Sequence, residues 1–175
     1  STGGHPDITQ LRDAISLLFR LQGVTRREFL AFRQVLEPTA ASLAAVHATD
    51  EQRSAILQSA QVDRSHLGQV VDLHVLIGES AGNGVVAVVL QALYSPLAVH
   101  FRDEKIRSKD IEGTAKGHRK IAEAISAGDA AGAERAMRRH LDASAGYVGE
   151  LGLTDEPIVA EPRWTTVHFR PHPTS

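Results

Sequence analysis

Three histidines in this chain, His74, His118 and His140, have the spacing and surroundings to act together. Imidazole is the commonest protein ligand for zinc and related transition metals, and each of these residues sits in a stretch of helical character. His74 lies in Val-Val-Asp-Leu-His74-Val-Leu-Ile-Gly-Glu-Ser-Ala-Gly-Asn83. His118 opens His118-Arg-Lys-Ile-Ala-Glu-Ala-Ile-Ser-Ala-Gly-Asp129, and His140 sits in Ala-Met-Arg-Arg-His140-Leu. Imidazoles from three packed helices can converge on one ion inside a bundle. Three unrelated interfacial histidines would give the same spacing.

Arg33 is the second residue with chemical promise. Phe29, Leu30, Leu36 and Ala40 share its helix face, so its stem starts from an apolar surface. A guanidinium there is shaped to clamp a carboxylate through two parallel hydrogen bonds. An i,i+4 pair with Glu37, or a side chain snorkelling to solvent, are the structural alternatives. Tyr94, His100 and Arg102 read as packing or solvated residues, Asn83 as a helix N-cap, and Arg135, Arg138 and Arg139 as a solvated face. His47 suits a helix C-terminus.

Machinery for covalent or hydrolytic catalysis is missing from the sequence. There is no Gly-x-Ser-x-Gly elbow, no Gly-rich phosphate loop, no His-Glu-x-x-His and no Glu-x-x-His pair. Around His74, one turn away on the same helix, stand Val70, Val71, Ile77 and Gly78; before the other two histidines stand Thr114, Ala115, Ala136 and Met137. None offers a carboxylate as base. A binding role is therefore expected over catalysis. The rival reading from another class is a metal-dependent helical-bundle enzyme of the DinB-like type.

The elements that must position these residues are helices. Asp7-Ile-Thr-Gln10, Thr25-Arg-Arg-Glu28 and Thr49-Asp-Glu-Gln52 each have the form of a capping box. They predict helices from about residue 8 to 23, 25 to 47 and 49 to 61. Further helices are expected over about 66–80, 84–107, 110–127 and 129–152, the last two separated by Gly128-Asp129. Pro38 and Pro96 fall inside two of them, so a kink is expected at the first and a kink or break at the second. The 84–107 segment is apolar nearly all round at its start, which suggests a central position. No strand alternation or repeat appears. The fold class is all-α, an antiparallel bundle of about seven helices. Residues 1–6 read as a linker, 7–152 as the helical domain, and 153–175 as an irregular tail interrupted by prolines, with Trp164 and Phe169 as candidates for docking.

Bulk properties agree with one soluble domain. The 175 residues carry 19 basic and 21 acidic side chains, a formal charge of −2, which is not the basic excess of a free-standing nucleic-acid binder. No cysteine is present, which excludes thiolate metal sites and suits a reducing cytoplasm. The longest apolar run, Val85-Val-Ala-Val-Val-Leu90, is far below the roughly 20 residues that span a bilayer, and no signal peptide is evident.

Several words of this sequence, in order, carry a family resemblance. Phe32-Arg33-Gln-Val-Leu-Glu37-Pro-Thr-Ala-Ala-Ser-Leu-Ala-Ala45 resembles the opening helix of the C-terminal effector domain of FadR-like regulators in the GntR family. Leu73-His74 followed by Glu79-Ser80-Ala81-Gly82-Asn83 is similar to that family's Phe-His…Ser-Gly-Asn element. His118-Arg119…Gly128-Asp129…Ala136-Met137-Arg138-Arg139-His140-Leu141 resembles its closing signature, and the intervals 118 − 74 = 44 and 140 − 118 = 22 fit. The resemblance spans about residues 8 to 152. It implies a domain that binds a small effector and forms a homodimer, attached to a winged helix-turn-helix that grips operator DNA and is not in this sequence.

The resemblance also implies a metal site on His74, His118 and His140, holding zinc or nickel, and places Arg33 facing the ligand cavity. One departure stands out. Metal-binding members carry an aspartate one turn before the first histidine, where this chain has Val70. Asp72 is about 200° round the helix and His66 roughly 12 Å back along it, so neither replaces that ligand from the same helix. A weakened site is expected, completed by water or by an effector carboxylate. The expected effector is a small carboxylate; a long acyl chain is the runner-up, because Val70 could mark a greasier cavity.

Overall fold

The computed structural model describes residues 9–61, 68–100 and 111–159. Among these the chain is all-α: α1 (Thr9–Gln22), α2 (Arg26–His47), α3 (Asp50–Gln61), α4 (Gly68–Glu79), α5 (Gly84–His100), α6 (Ile111–Ser126) and α7 (Ala130–Glu150). No helix among the described residues is long and apolar enough to cross a membrane.

The helix starts follow from their first residues. At α2, the Thr25 hydroxyl accepts from the Glu28 amide at 3.2 Å while the Glu28 carboxylate accepts from the Thr25 amide at 2.8 Å. Those Thr25 donors, the backbone amide first, hold the Glu28 carboxyl below the usual carboxylate range. Thr49 and Gln52 form the same reciprocal pair at α3, Asn83 caps α5 through the Val85 and Val86 amides, and Asp129 caps α7 through Gly132. The box expected at Asp7 lies outside the described residues. Pro38 and Pro96 break neither helix: α2 runs through to His47 and α5 through to His100. Each proline removes one amide donor, and the remaining ladder carries the helix across it.

The core is built where α2 packs along α7, α6 along α7, α4 against α5, and α3 against both α4 and α6. Its large members include Ile56, Leu73, Ile77, Leu90, Ile121, Ile125, Met137 and Leu141. Between α2, α6 and α7 the facing residues are small: Ala40, Ala41, Ala44, Ala122, Ala133 and Ala136 are all buried. Small side chains let helix axes approach toward the short end of the usual 8–10 Å range.

Two tethers hold the bundle's ends. Arg53 on α3 donates to the carbonyls of Ala48 and Ala45 at the end of α2, and to those of Ile125 and Ser126 at the end of α6. One guanidinium thus bonds carbonyls at two helix C-termini, where a cation is also favoured by the helix dipoles. Arg53→Met is expected to destabilise the domain by about 2 kcal/mol, since it strips charged hydrogen bonds from part-buried carbonyls. The melting temperature should fall by roughly 4–8 °C; an unchanged value would show that water serves those carbonyls equally well.

The second tether is the stretch after Gly152. Its backbone is irregular, yet it is packed: Thr25 and Pro157 form an antiparallel bridge, and Ile158 donates to the Val24 carbonyl at 2.8 Å. Ile158 and Val159 are buried in the core, and Arg27 pairs with Asp155 through both oxygens. Docking here uses Ile158 and Val159; Trp164 and Phe169 lie outside the described residues.

Candidate metal and effector site

The three histidines meet. Each comes from a different helix, α4, α6 and α7, and all three are buried. The His118 Nε2 lies 3.3 Å from the His74 Nε2 and 3.1 Å from the His140 Nε2. Local sequence prepares this approach. Gly117, inside α6, has no side chain where a Cβ would sit 3.0 Å from the His140 Nδ1. A glycine in a helix interior costs about 1 kcal/mol relative to alanine, and here it gives the ring of α7 its place.

Arg33 and Glu37 project from α2 into the same region. The Arg33 Nε donates to Glu37 Oε1 at 2.7 Å, and the Arg33 Nη2 stands 3.4 Å from the His74 Nε2. Both residues are buried, Glu37 to 1% exposure. The i,i+4 pair that the sequence allowed is present, and so is the approach of Arg33 to the histidines. One side chain serves both contacts because its Nε edge meets Glu37 while an Nη extends beyond it.

Glu37 holds the site's hydrogen bonds together. Its Oε2 accepts from the His74 Nδ1 at 2.6 Å, and its Oε1 accepts from Tyr94 Oη as well as from Arg33. Tyr94, on α5, also stacks on the His74 ring with centroids 5.2 Å apart, and the Arg33 guanidinium carbon lies 5.3 Å from the Tyr94 ring centre. Burial alone would raise the Glu37 pKa, but the Arg33 charge, followed by His74, holds it well below the usual carboxylate range. Burial likewise opposes the charge on Arg33, and the Glu37 carboxylate more than offsets it. The Tyr94 hydroxyl is pushed well above its ordinary value, first by burial. It stays a donor.

These contacts decide what the cluster can hold. In the neutral tautomer that gives Nδ1–H to Glu37, the His74 lone pair is on Nε2, the atom turned toward the other histidines. A carboxylate behind a histidine in this way fixes the tautomer and raises the ligand's basicity. Three nitrogens about 2.0–2.1 Å from one tetrahedral ion would be about 3.3 Å apart, close to the two separations observed. A ring N–H can serve only one such contact at a time, whereas a cation satisfies three converging lone pairs together. The donor set fits a zinc-like ion, and among the described side chains no carboxylate joins the cluster as a direct ligand.

Sequence reasoning found the histidines and Arg33 and missed the weight carried by Glu37 and Tyr94. Carboxylates were sought one turn from each histidine along its own helix, and Glu37 arrives from α2, 37 residues before His74. The available signal was an acid on an apolar face, directly before Pro38. The sequence reads Tyr94 as packing or solvated; in the structure it packs and donates. Arg102 lies outside the described residues, and Val70 lies on α4, one turn before His74.

Comparison with known proteins places this arrangement. The pattern of the FCD domain matches residues 28–143, the segment that holds Arg33, Glu37 and all three histidines. Among solved structures, a GntR protein of Streptococcus agalactiae is similar at 23% identity with a TM-score of 0.52, over 80% of this chain and 60% of that one. That likeness is one of fold, and this chain spans well under two thirds of that protein's length. A search of curated proteins returned no match. The FCD match gives no support to a DinB-like enzyme. It agrees with the resemblance read from the opening, central and closing words of the sequence: this chain belongs to the FCD domain family.

Proposed function

We propose that this chain is the effector-sensing domain of a GntR-type transcriptional regulator, working in the cytoplasm, and that it binds a small carboxylate at the histidine cluster. The supporting observation is the buried convergence of three imidazoles beside Arg33 with no direct carboxylate ligand among the described residues. Arg33 and Glu37 neutralise each other, so a divalent ion on three neutral histidines would bring uncompensated positive charge into a low-dielectric interior. An effector carboxylate offsets that charge while ligating the ion and accepting from the Arg33 fork. Val70, where relatives have an acid, leaves this role to the ligand. The role is sensing rather than catalysis, with operator DNA bound by a separate N-terminal winged helix-turn-helix.

Thermal-shift measurements with zinc or nickel test this reading. Small organic acids at about 100 times their Kd should stabilise the domain by about 2.7 kcal/mol, a rise of roughly 5–10 °C, and acyl-CoA esters should not. The rise should shrink in Arg33→Lys, which keeps the charge and loses the fork. Equal shifts in wild type and variant would remove Arg33 from the clamp, and a response confined to acyl-CoA esters would replace the carboxylate with a greasier ligand.

The partner in assembly is a second copy. Helix α1 packs on α5, and together they leave Leu17, Leu18, Leu21, Val85 and Val88 exposed. Exposed apolar side chains on two packed helices suit an interaction surface, and two operator half-sites call for a two-fold pair. Light scattering at tens of micromolar should give a dimer mass; a monomer would count against this face as an interface.

A further inference from the structure

Residues of α6 and α7, His140 among them, line a cleft of about 210 Å³. Lys116 and Lys120, one turn apart on α6, stand on one wall, and Arg139 on the other; Gly117, His140 and Ser144 line it as well. None of its lining residues is acidic. All three cationic side chains are exposed to solvent, and at low salt their fields add in the concavity and favour an anion there. The volume admits a phosphate or a small organic acid and lies below the 300–1,000 Å³ of sites for larger ligands.

The floor of this cleft is a wall of the histidine cluster. His140 lines the cleft and its Nε2 is 3.1 Å from the His118 Nε2. Gly117 brings the α6 backbone close to the His140 ring on the cleft side, since a Cβ there would meet that ring. We infer that the α6–α7 cleft is an anion-binding site, taking the phosphate or carboxylate group of a small metabolite between Lys116, Lys120 and Arg139, directly against His140. An anion seated there touches the residue that joins α7 to the cluster. The Arg33 side of the cluster and this cleft are then two separate anion contacts on one buried group of histidines.

The chain has no cysteine, so single thiols report cleanly. Ser144→Cys places one in the cleft, and Ser54→Cys one on the exposed surface of α3. Each is labelled with an anionic and a cationic thiosulfonate at low salt, without added metal or carboxylate effector. The anionic-to-cationic rate ratio should be roughly tenfold higher at Ser144→Cys than at Ser54→Cys, because three nearby cations concentrate anions. It should fall toward the surface value when Lys116→Glu and Lys120→Glu are added. Millimolar inorganic phosphate or succinate should slow labelling in the cleft and not on α3; protection by phosphate alone identifies a phosphoryl group as the occupant, and by succinate alone a carboxylate. Equal ratios at the two positions, or no protection by either anion, would overturn the inference. Should the double lysine variant fail to fold, the comparison in the unaltered lysine background decides. Metal and effector play no part in the readout, so failure here leaves the proposed function standing, and failure there leaves this result standing.

Discussion

Glu37→Leu is expected to cost the domain about 3–5 kcal/mol, the range for removing one partner of a buried ion pair. The melting temperature should fall by roughly 6–20 °C. The loss is large because three donors depend on this carboxylate: Arg33, the Tyr94 hydroxyl and the His74 Nδ1. Leucine leaves a guanidinium buried without its counter-charge, together with two polar groups out of reach of water. Glu37→Gln, which keeps an acceptor oxygen but loses the charge, should fall between wild type and leucine. The decisive comparison is the double variant Arg33→Met/Glu37→Leu, which removes both charges and should recover much of the loss. If the two single effects simply add, the buried pair is not a coupled unit and the account given for Glu37 fails.

His118→Ala should abolish metal retention. His118 is fully buried and is the histidine whose Nε2 lies within 3.3 Å of both others; without it two nitrogens remain, and neither brings charge. After loading with zinc and dialysis, metal analysis should find close to one ion per wild-type chain and close to none in the variant. Glu37→Gln should weaken affinity by about 10–100-fold, the usual range for a carboxylate behind a histidine ligand. Val70→Asp should strengthen it by adding an anionic group one turn before His74. Unchanged metal content in His118→Ala would remove the three-histidine assignment altogether, and circular dichroism of the variant separates ligand loss from unfolding.

Legibility differed between kinds of interaction. The capping boxes at Thr25 and Thr49 depend on residues three apart, and the structure forms both where the sequence put them. Cap residues and stopping glycines placed the ends of α2, α3, α6 and α7 to within a residue or two. Arg33 and the histidines were legible through residue type and family words. Glu37 was visible only as a neighbour of Arg33, because its contact with His74 is a matter of how α2 lies against α4, and no local pattern encodes that. Arg53 gave no signal for the same reason: its four carbonyl partners belong to two other helix ends. The packing of Ile158 and Val159 was likewise hidden in a stretch with no periodicity.

The bridge between Thr25 and Pro157 sets an order of events when the chain is made. Arg27 leaves the ribosome 128 residues ahead of Asp155, an interval of roughly 6–26 s at about 5–20 residues per second. For most of it, until α7 follows, the face of α2 that carries Phe29, Ala40, Ala41 and Ala44 has no α7 to cover it. A chaperone that shields helical apolar stripes would find its substrate there during synthesis. His140 also arrives late, on α7, so the nascent chain cannot offer three converged imidazoles before that helix has been made. Any ion held by all three imidazoles must be taken up after α4, α6 and α7 have come together.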